Sequence, residues 1–281
     1  MSIKIITDSA SDMIYGDREG VSFQPLSVYF GGQEYLDGVT LSHKEFYEKL
    51  IESDQLPTTS QVPPAKFEEA YRKIREDGDQ AIVITISSKL SGTYQSAVIA
   101  AEDYEDCIYV VDSLNVTIGE QVLIDYAIRL RDQGMAIADI VAELNREKEH
   151  IHLIALLDTL EYLKKGGRIS AATAFAGTLL SMKPVISIQE GEVQLMGKAR
   201  GSKQGNNLLV QYIEKNGGID YSRPFHLGYT GLNDDLLQKF IKDSAALWEG
   251  KVDSLPIASV GSAIGTHSGP GAIAVAFFGN K

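Results

Sequence analysis

The chain of 281 residues carries 26 Lys and Arg against 38 Asp and Glu, a formal net charge of −12, with 44% hydrophobic and 23% charged residues. Those proportions fit one large or two modest globular domains able to bury a core, neither disordered nor fibrous. A pI near 4.9 argues against nucleic acid and against a permanent dock on anionic membrane, since polyanions attract basic surfaces. An anionic ligand would have to be held by local groups working against the overall field.

The N-terminus, MSIKIITDSA, interrupts its apolar residues with Lys4 and Asp8 and offers no signal-peptide core. Ile3 to Thr7 reads as a buried strand, followed by a small hairpin of Val28 to Phe30 and Glu34 to Leu36 around Gly31-Gly32. Ser42 and Glu45 have capping-box spacing before a helix. PTTSQVPP (57–64) reads as an extended connector stiffened by proline. Phe67, Ala70, Tyr71 and Ile74 fall at i, i+3, i+4, i+7, as do Ile137, Ile140, Val141 and Leu144, so both segments predict amphipathic helices.

Ala81 to Ile86, Ile108 to Val111 and Ile151 to Leu157 supply three more apolar strands. The single cysteine, Cys107, reads as a buried strand residue; without a partner it forms no internal disulfide, which points to a reducing, cytoplasmic setting. A short helix is expected to stop at Gly166-Gly167. Residues 169–182 form an uncharged small-residue helical stretch, and Val185 to Ile188 with Val193 to Met196 a hairpin turning at Glu190-Gly191. Two further helices carry Leu208, Leu209, Tyr212, Ile213 and Leu236, Leu237, Phe240, Ile241 as apolar stripes. Phe225 to Tyr229, Val252 to Leu255 and Ala272 to Phe278 read as strands.

Strand–helix alternation predicts an α/β protein. Residues 1–158 are expected to form a domain with a largely parallel sheet flanked by helices, and residues 159–281 a second α/β domain with a mixed sheet. The uncharged run from Ser254 to Asn280 contains Pro256, Pro270, repeated glycines and His267, which suit loops and a short strand rather than a membrane helix.

Each apolar strand of the first half runs into small polar residues: Asp8-Ser9, Ser87-Ser88, Asp112-Ser113, Asp158-Thr159. In an open parallel sheet those strand ends share the edge where ligands bind, although each taken singly reads more readily as an N-cap. In SSKLSGTYQSA (87–97), Ser91, Gly92 and Thr93 enter a helix whose N–H groups and positive dipole end receive anions without a basic residue. Glycine there allows close approach and the hydroxyls add donors. Thr58, Thr59 and Ser60 form a second hydroxyl cluster, and GTHSGPGA (265–272) holds His267 in an irregular glycine-rich backbone. Arg168 and Arg200, both among glycines, are candidates for phosphate or a partner carboxylate, with exposed solubilising roles as the alternative.

Neither a Walker P-loop nor G-x-G-x-x-G after a strand is present, so nucleotide binding is unsupported. His150 and His152 lack a third ligand nearby, which speaks against zinc. Ser91 and His267 could form a hydrolase pair, but the nucleophile-elbow pattern is absent.

Taken together, IITDSASD (5–12), PTTSQVPP, SSKLSGTYQSA, VVDSLNVTIGEQ (110–121), LDTLEYLKKGGRIS (157–170), KPVISIQEGEV (183–193) and SVGSAIGTHSGPGAIAVAFFG (259–279) resemble the DegV family of bacterial fatty-acid-binding proteins over essentially the whole chain. One departure is Val62, where the family often has proline directly after TSQ. The resemblance implies two α/β domains enclosing a long-chain fatty acid. It implies a non-catalytic subunit that presents the carboxylate to a separate ATP-binding kinase, whose acyl-phosphate product feeds phospholipid synthesis. ATP and magnesium would belong to that kinase, leaving this chain without a cofactor or metal of its own.

By motif, the resemblance makes Thr59 and Ser91, with Gly92 and Thr93, the donors to the carboxylate and His267 their polar neighbour. Arg168, and Arg200 with it, would face the kinase or phosphoryl group. Phe175, Leu179 and Leu180 are the expected wall of the acyl cavity, with an ordinary buried helix as the alternative. Burial of the chain is worth ~0.8 kcal/mol per CH₂, so the tail should dominate affinity. The acidic surface then allows only transient visits to anionic lipid. The competing reading is a serine esterase or thioesterase using Ser91 and His267.

Overall fold

The β-branched run at the N-terminus forms β1 (Ile3–Asp8), the centre of a four-stranded parallel sheet in the computed structural model, which describes residues 2–13, 18–169 and 182–280. Its order is β2-β1-β6-β7, with β2 (Val21–Gln24), β6 (Gln80–Thr85) and β7 (Ile108–Asp112). A three-stranded antiparallel sheet sits beside it, built from β3 (Ser27–Phe30), β4 (Gln33–Leu36) and β5 (Thr58–Ser60). The hairpin is as expected. β5 is new: the extended connector pairs with β3, Val28 facing Thr59, so the hydroxyl cluster stands on a strand rather than a loop.

The helices of this half are α1 (His43–Glu52), α2 (Pro64–Glu76), α3 (Thr93–Ala101), α4 (Ile118–Asp132) and α5 (Ile137–Glu147). The capping box of α1 is complete: the Glu45 N–H donates to Ser42 Oγ at 3.3 Å and the Ser42 N–H to the Glu45 carboxylate at 3.0 Å. Cys107 is buried immediately before β7.

The second sheet has six strands in the order β10-β9-β8-β13-β11-β12. These are β8 (Ile151–Leu156), β9 (Lys183–Gln189), β10 (Glu192–Ala199), β11 (Phe225–Tyr229), β12 (Ile257–Ser259) and β13 (Ile273–Phe278). Helices α6 (Glu161–Lys165), α7 (Ser202–Lys215), α8 (Asp235–Asp243) and α9 (Ser262–Ser268) accompany it.

Three expectations are corrected here. Ile151 to Leu157 was expected to join the parallel sheet, but β8 is central in the second sheet, antiparallel to β9 and β13. A strand buried on both faces looks apolar throughout, so its pattern does not choose its partners. The strand expected at Val252 to Leu255 lies further on, at Ile257–Ser259. His267 does not sit in an irregular loop: it lies in the last turn of α9, which ends at Gly269 with φ +70°.

α4 is the shared wall, packing on β1 and β6 on one side and on β8, β11 and β13 on the other. The continuous core runs from Ile5, Ile82 and Ile84 through Val122 and Leu123 to Leu153 and Ala274. The far face of the second sheet, with Ile154, Val275 and Phe277, packs with Leu209 and Ile213 of α7 and Phe240 of α8.

Candidate functional site

Between the strand-end loops of the first sheet and the inner face of the second lies a cavity with about 900 Å³ of space between atoms, part of it open to solvent. Its floor follows from strand periodicity. Leu153, Ala155 and Leu157 point inward from β8 and its end, and Ala272 and Ala274 from the start of β13. Ala274 faces Ala155 in register, so two methyl groups stand where larger side chains would fill the space. Ile186 and Ile188 of β9 and Val193 of β10 continue the apolar wall.

One part of the lining is polar. Thr59, Ser91, Arg168 and His267 all border this cavity, and the exposed Ser60 and Gln61 stand at its rim. Thr59 Oγ1 and His267 Nε2 are 2.8 Å apart. His267 Nδ1 is buried without a hydrogen-bond partner among the described residues. A buried N–H without an acceptor is the rarer defect, which favours the tautomer with the proton on Nε2. The ring then donates to Thr59, which leaves the Thr59 hydroxyl proton available to another acceptor.

Burial, assisted by the nearby Arg168 charge, pushes the His267 ring down from 6.5 to about 4. The ring is neutral at physiological pH, and the expected result of a ¹⁵N NMR titration is neutral imidazole shifts persisting at pH 5.5. Since the unfolded ring titrates near 6.5, the folded state holds fewer protons between 6.5 and 4, so His267 subtracts stability as pH falls through that window. A ring already protonated at pH 5.5 would remove this picture of the site.

Ser91 precedes α3. Its Oγ lies 2.9 Å from Thr93 Oγ1 and accepts the Thr93 N–H at 3.3 Å. Thr93 is buried, and its hydroxyl also accepts the Val62 N–H at 3.3 Å. A proline at position 62 would lack that donor, so the departure from the family's TSQP pattern adds a link between the two hydroxyl segments. Gly92 is explained by its neighbour: a Cβ there would lie 1.9 Å from Gln61 Oε1. The close approach that glycine permits is thus to the Gln61 amide, whose Nε2 also donates to Ser96 at 2.8 Å. Thr93 and Gly92 hold the Ser91 segment against Val62 and Gln61, just after β5; Ser91 itself borders the cavity.

Arg168 is fixed by two backbone carbonyls, donating from Nε to Leu90 O at 3.1 Å and from Nη1 to Gly166 O at 2.5 Å. Those bonds engage two of the five guanidinium donors and hold a full positive charge in the wall beside Ser91. Arg200 is exposed at the end of β10 and borders no part of this cavity. Phe175, Leu179 and Leu180, the expected acyl wall, lie outside the described residues.

The other strand-end polar groups serve the fold. Asp8 accepts from Ala10 and Ile86 N–H at 2.9 and 2.8 Å, Ser87 donates to Gly191 O at 2.8 Å, and Asp158 pairs with Lys183 at 2.6 Å. Among the described residues no cluster of His, Cys, Asp and Glu could hold a metal, and no helix is long and apolar enough to cross a membrane.

The site therefore has an apolar body and one polar end with hydroxyls, a neutral imidazole and a guanidinium. It is suited to an amphiphile with an anionic head. The hydrogen bonds of Ser91 and His267 run to Thr93 and Thr59.

The family model described as "Uncharacterised protein, DegV family" matches residues 2–280. The chain belongs to the DegV family. A DegV domain-containing protein of Caldanaerobacter subterraneus is 34% identical over 280 residues, covering 98% of each chain. Among solved structures, the fatty-acid-binding DegV family protein from Thermus thermophilus has a TM-score of 0.89 at 33% identity, covering 99% of this chain and 100% of that one. DegV of Bacillus subtilis, a fatty acid binding protein, has a TM-score of 0.84 at 29% identity, covering 98% of both chains. A stearic acid-binding protein from Eubacterium ventriosum has a TM-score of 0.86 at 29% identity, covering 98% of this chain and 97% of that one.

Sequence reasoning missed several wall residues of this DegV chain, among them Ile186, Ile188, Thr117 and Thr230. One signal was available. In Ala272-Ile273-Ala274-Val275-Ala276-Phe277, every second residue is alanine, and a strand with one small face marks either a close approach or a space left open.

Proposed function

We propose that this protein binds a long-chain fatty acid in the cavity and presents its carboxylate to a partner ATP-dependent kinase, which converts it to an acyl phosphate for phospholipid synthesis. The observation that carries the binding half is one cavity combining an alanine-faced apolar floor with Thr59, Ser91, Arg168 and His267 at a single polar end. Fatty-acid binding by solved relatives at about a third identity supports it. An isolated carboxylate is expensive to bury unless several donors serve it, and this end supplies two hydroxyls and a guanidinium.

Presentation is supported by the exposed rim at Ser60 and Gln61, next to Thr59. Hydroxyl donors, beside an Arg168 that is tied to the Leu90 and Gly166 carbonyls, leave a carboxylate oxygen able to accept a phosphoryl group and the product able to leave. Arg168 is the residue placed to meet the incoming phosphate, and no cofactor beyond the kinase's ATP and magnesium is required.

Mass spectrometry after organic extraction of the purified protein is expected to find fatty acid. Its absence, together with no uptake of added palmitate or oleate, would overturn the binding half. With the ATP-binding kinase subunit supplied, Ser91→Ala is expected to lower acyl-phosphate formation about tenfold, as loss of a hydrogen bond to a charged group does. Unchanged turnover takes Ser91 out of the site.

A further inference from the structure

Two buried carboxylates outside the polar end grip the start of α9, the helix that carries His267. Asp12 accepts the Gly261 N–H at 2.7 Å with one oxygen and the Thr117 hydroxyl at 2.5 Å with the other. Asp37 accepts the Ser262 N–H at 2.9 Å and the Ser262 hydroxyl on the same oxygen. Just before them, Tyr47 donates its hydroxyl to Val260 O at 3.0 Å. All three side chains come from the first half of the chain, and none borders the cavity.

What they hold does border it. Thr117, Val260, Ala263, Ile264 and His267 are wall residues. Thr117 adopts φ +51° and ψ −133°, an unfavourable backbone for a β-branched residue. It is kept there by the Asp12 bond and by donation of its N–H to Ala10 O at 2.9 Å. α9 has only seven residues, SAIGTHS, including glycine, serine and threonine, which would not form a stable helix alone. Its start must be fixed from outside for its last turn to set a side chain within hydrogen-bond distance of another element.

We propose that Asp12 and Asp37 are positioning residues for the head-group end of the cavity: by fixing the first N–H groups of α9 they set where His267 meets Thr59. This rests on the fatty-acid reading and adds to it residues that act through α9 rather than by touching ligand. It also gives the second aspartate of the TDSASD segment a task.

The test compares hexadecanoate with hexadecanol, which shares the chain but lacks the carboxylate, on the delipidated full-length protein. Asp37→Ala is expected to weaken hexadecanoate about tenfold and hexadecanol less than about twofold. The His267 ring ¹⁵N resonances should shift as the Thr59 bond is lost. Asp125→Asn, which alters a buried carboxylate paired with Arg18 and His226 rather than with the start of α9, is expected to leave the acid-to-alcohol ratio unchanged. Asp37→Asn keeps an acceptor oxygen for Ser262 and should recover most of the acid affinity; if the alanine variant does not fold, Ser262→Ala, which removes the hydroxyl bond to Asp37, carries the comparison with a smaller but still acid-selective loss. Parallel losses for acid and alcohol, or no loss of either, overturn the positioning role. An unaltered chain that takes up neither ligand instead overturns the fatty-acid reading beneath it.

Discussion

Ala274→Phe is expected to abolish retention of long-chain fatty acid while the protein stays folded. Ala274 stands on the inner face of β13 opposite Ala155, and both border the cavity. A phenyl ring there occupies the path of the acyl chain. Excluding about four methylenes forfeits ~3 kcal/mol at ~0.8 each, roughly a two-hundredfold loss of affinity. Adding bulk to a filled core ordinarily costs ~1–3 kcal/mol, but this ring enters space that is already open, so the melting temperature without ligand should change little. The adjacent residue is the control. Val275 faces away from the cavity into the core shared with Leu209 and Phe240, so Val275→Phe should lower the melting temperature and leave binding in the remaining folded protein near normal. Titration of both delipidated variants with palmitate checks this, and undiminished binding by Ala274→Phe would place the chain elsewhere.

The contrast between those neighbours shows what could be read in advance. Period-two alternation along Ala272 to Phe278 assigns faces correctly because a strand's geometry is local. The capping box at Ser42 and the stop at Gly166-Gly167 are local too, and both stand as expected. Strand partnership is not local: Ile151 to Leu156 is, His152 aside, apolar on both faces because α4 covers one and α7 the other, and that pattern fits either sheet. α9 fails for a related reason. Its weak helix formers are held by Asp12, Asp37 and Tyr47, which lie more than 200 positions away in sequence. The residue types of the polar end were legible, and Thr59, Ser91, Arg168 and His267 do share one cavity. Their bonds were not, since the Thr59–His267 contact joins residues 208 apart and exists only once both halves pack. Gly92 was read as an opening for ligand because the sequence could not show Gln61 occupying that space.

Gly166→Ala tests the polar end most sharply, because local and tertiary effects oppose each other there. Gly166 ends α6 with φ −74° and ψ −9°, helical backbone that alanine adopts readily, so intrinsic preference alone predicts a gain of about 0.5–1 kcal/mol. An added Cβ, however, would lie 2.1 Å from His267 Nδ1 and 3.1 Å from Tyr162 O. The ring's other side is tied to Thr59, so it cannot retreat without giving up that bond. The contact should win, with a stability loss of about 1–3 kcal/mol and fatty-acid affinity reduced about tenfold as one head-group donor loses its orientation. Gly167, the next residue, has φ +71° and open space around it. Alanine there costs about 1 kcal/mol of backbone strain and should leave binding intact. In a His267→Ala background the obstacle is gone, and Gly166→Ala should become neutral or stabilising. That change of sign, read from thermal melts of the four proteins in a double-mutant cycle, isolates the contact between α6 and α9 from every other consequence of either substitution. If Gly166→Ala is equally harmful with and without the imidazole, the ring does not lie wedged between that turn and Thr59.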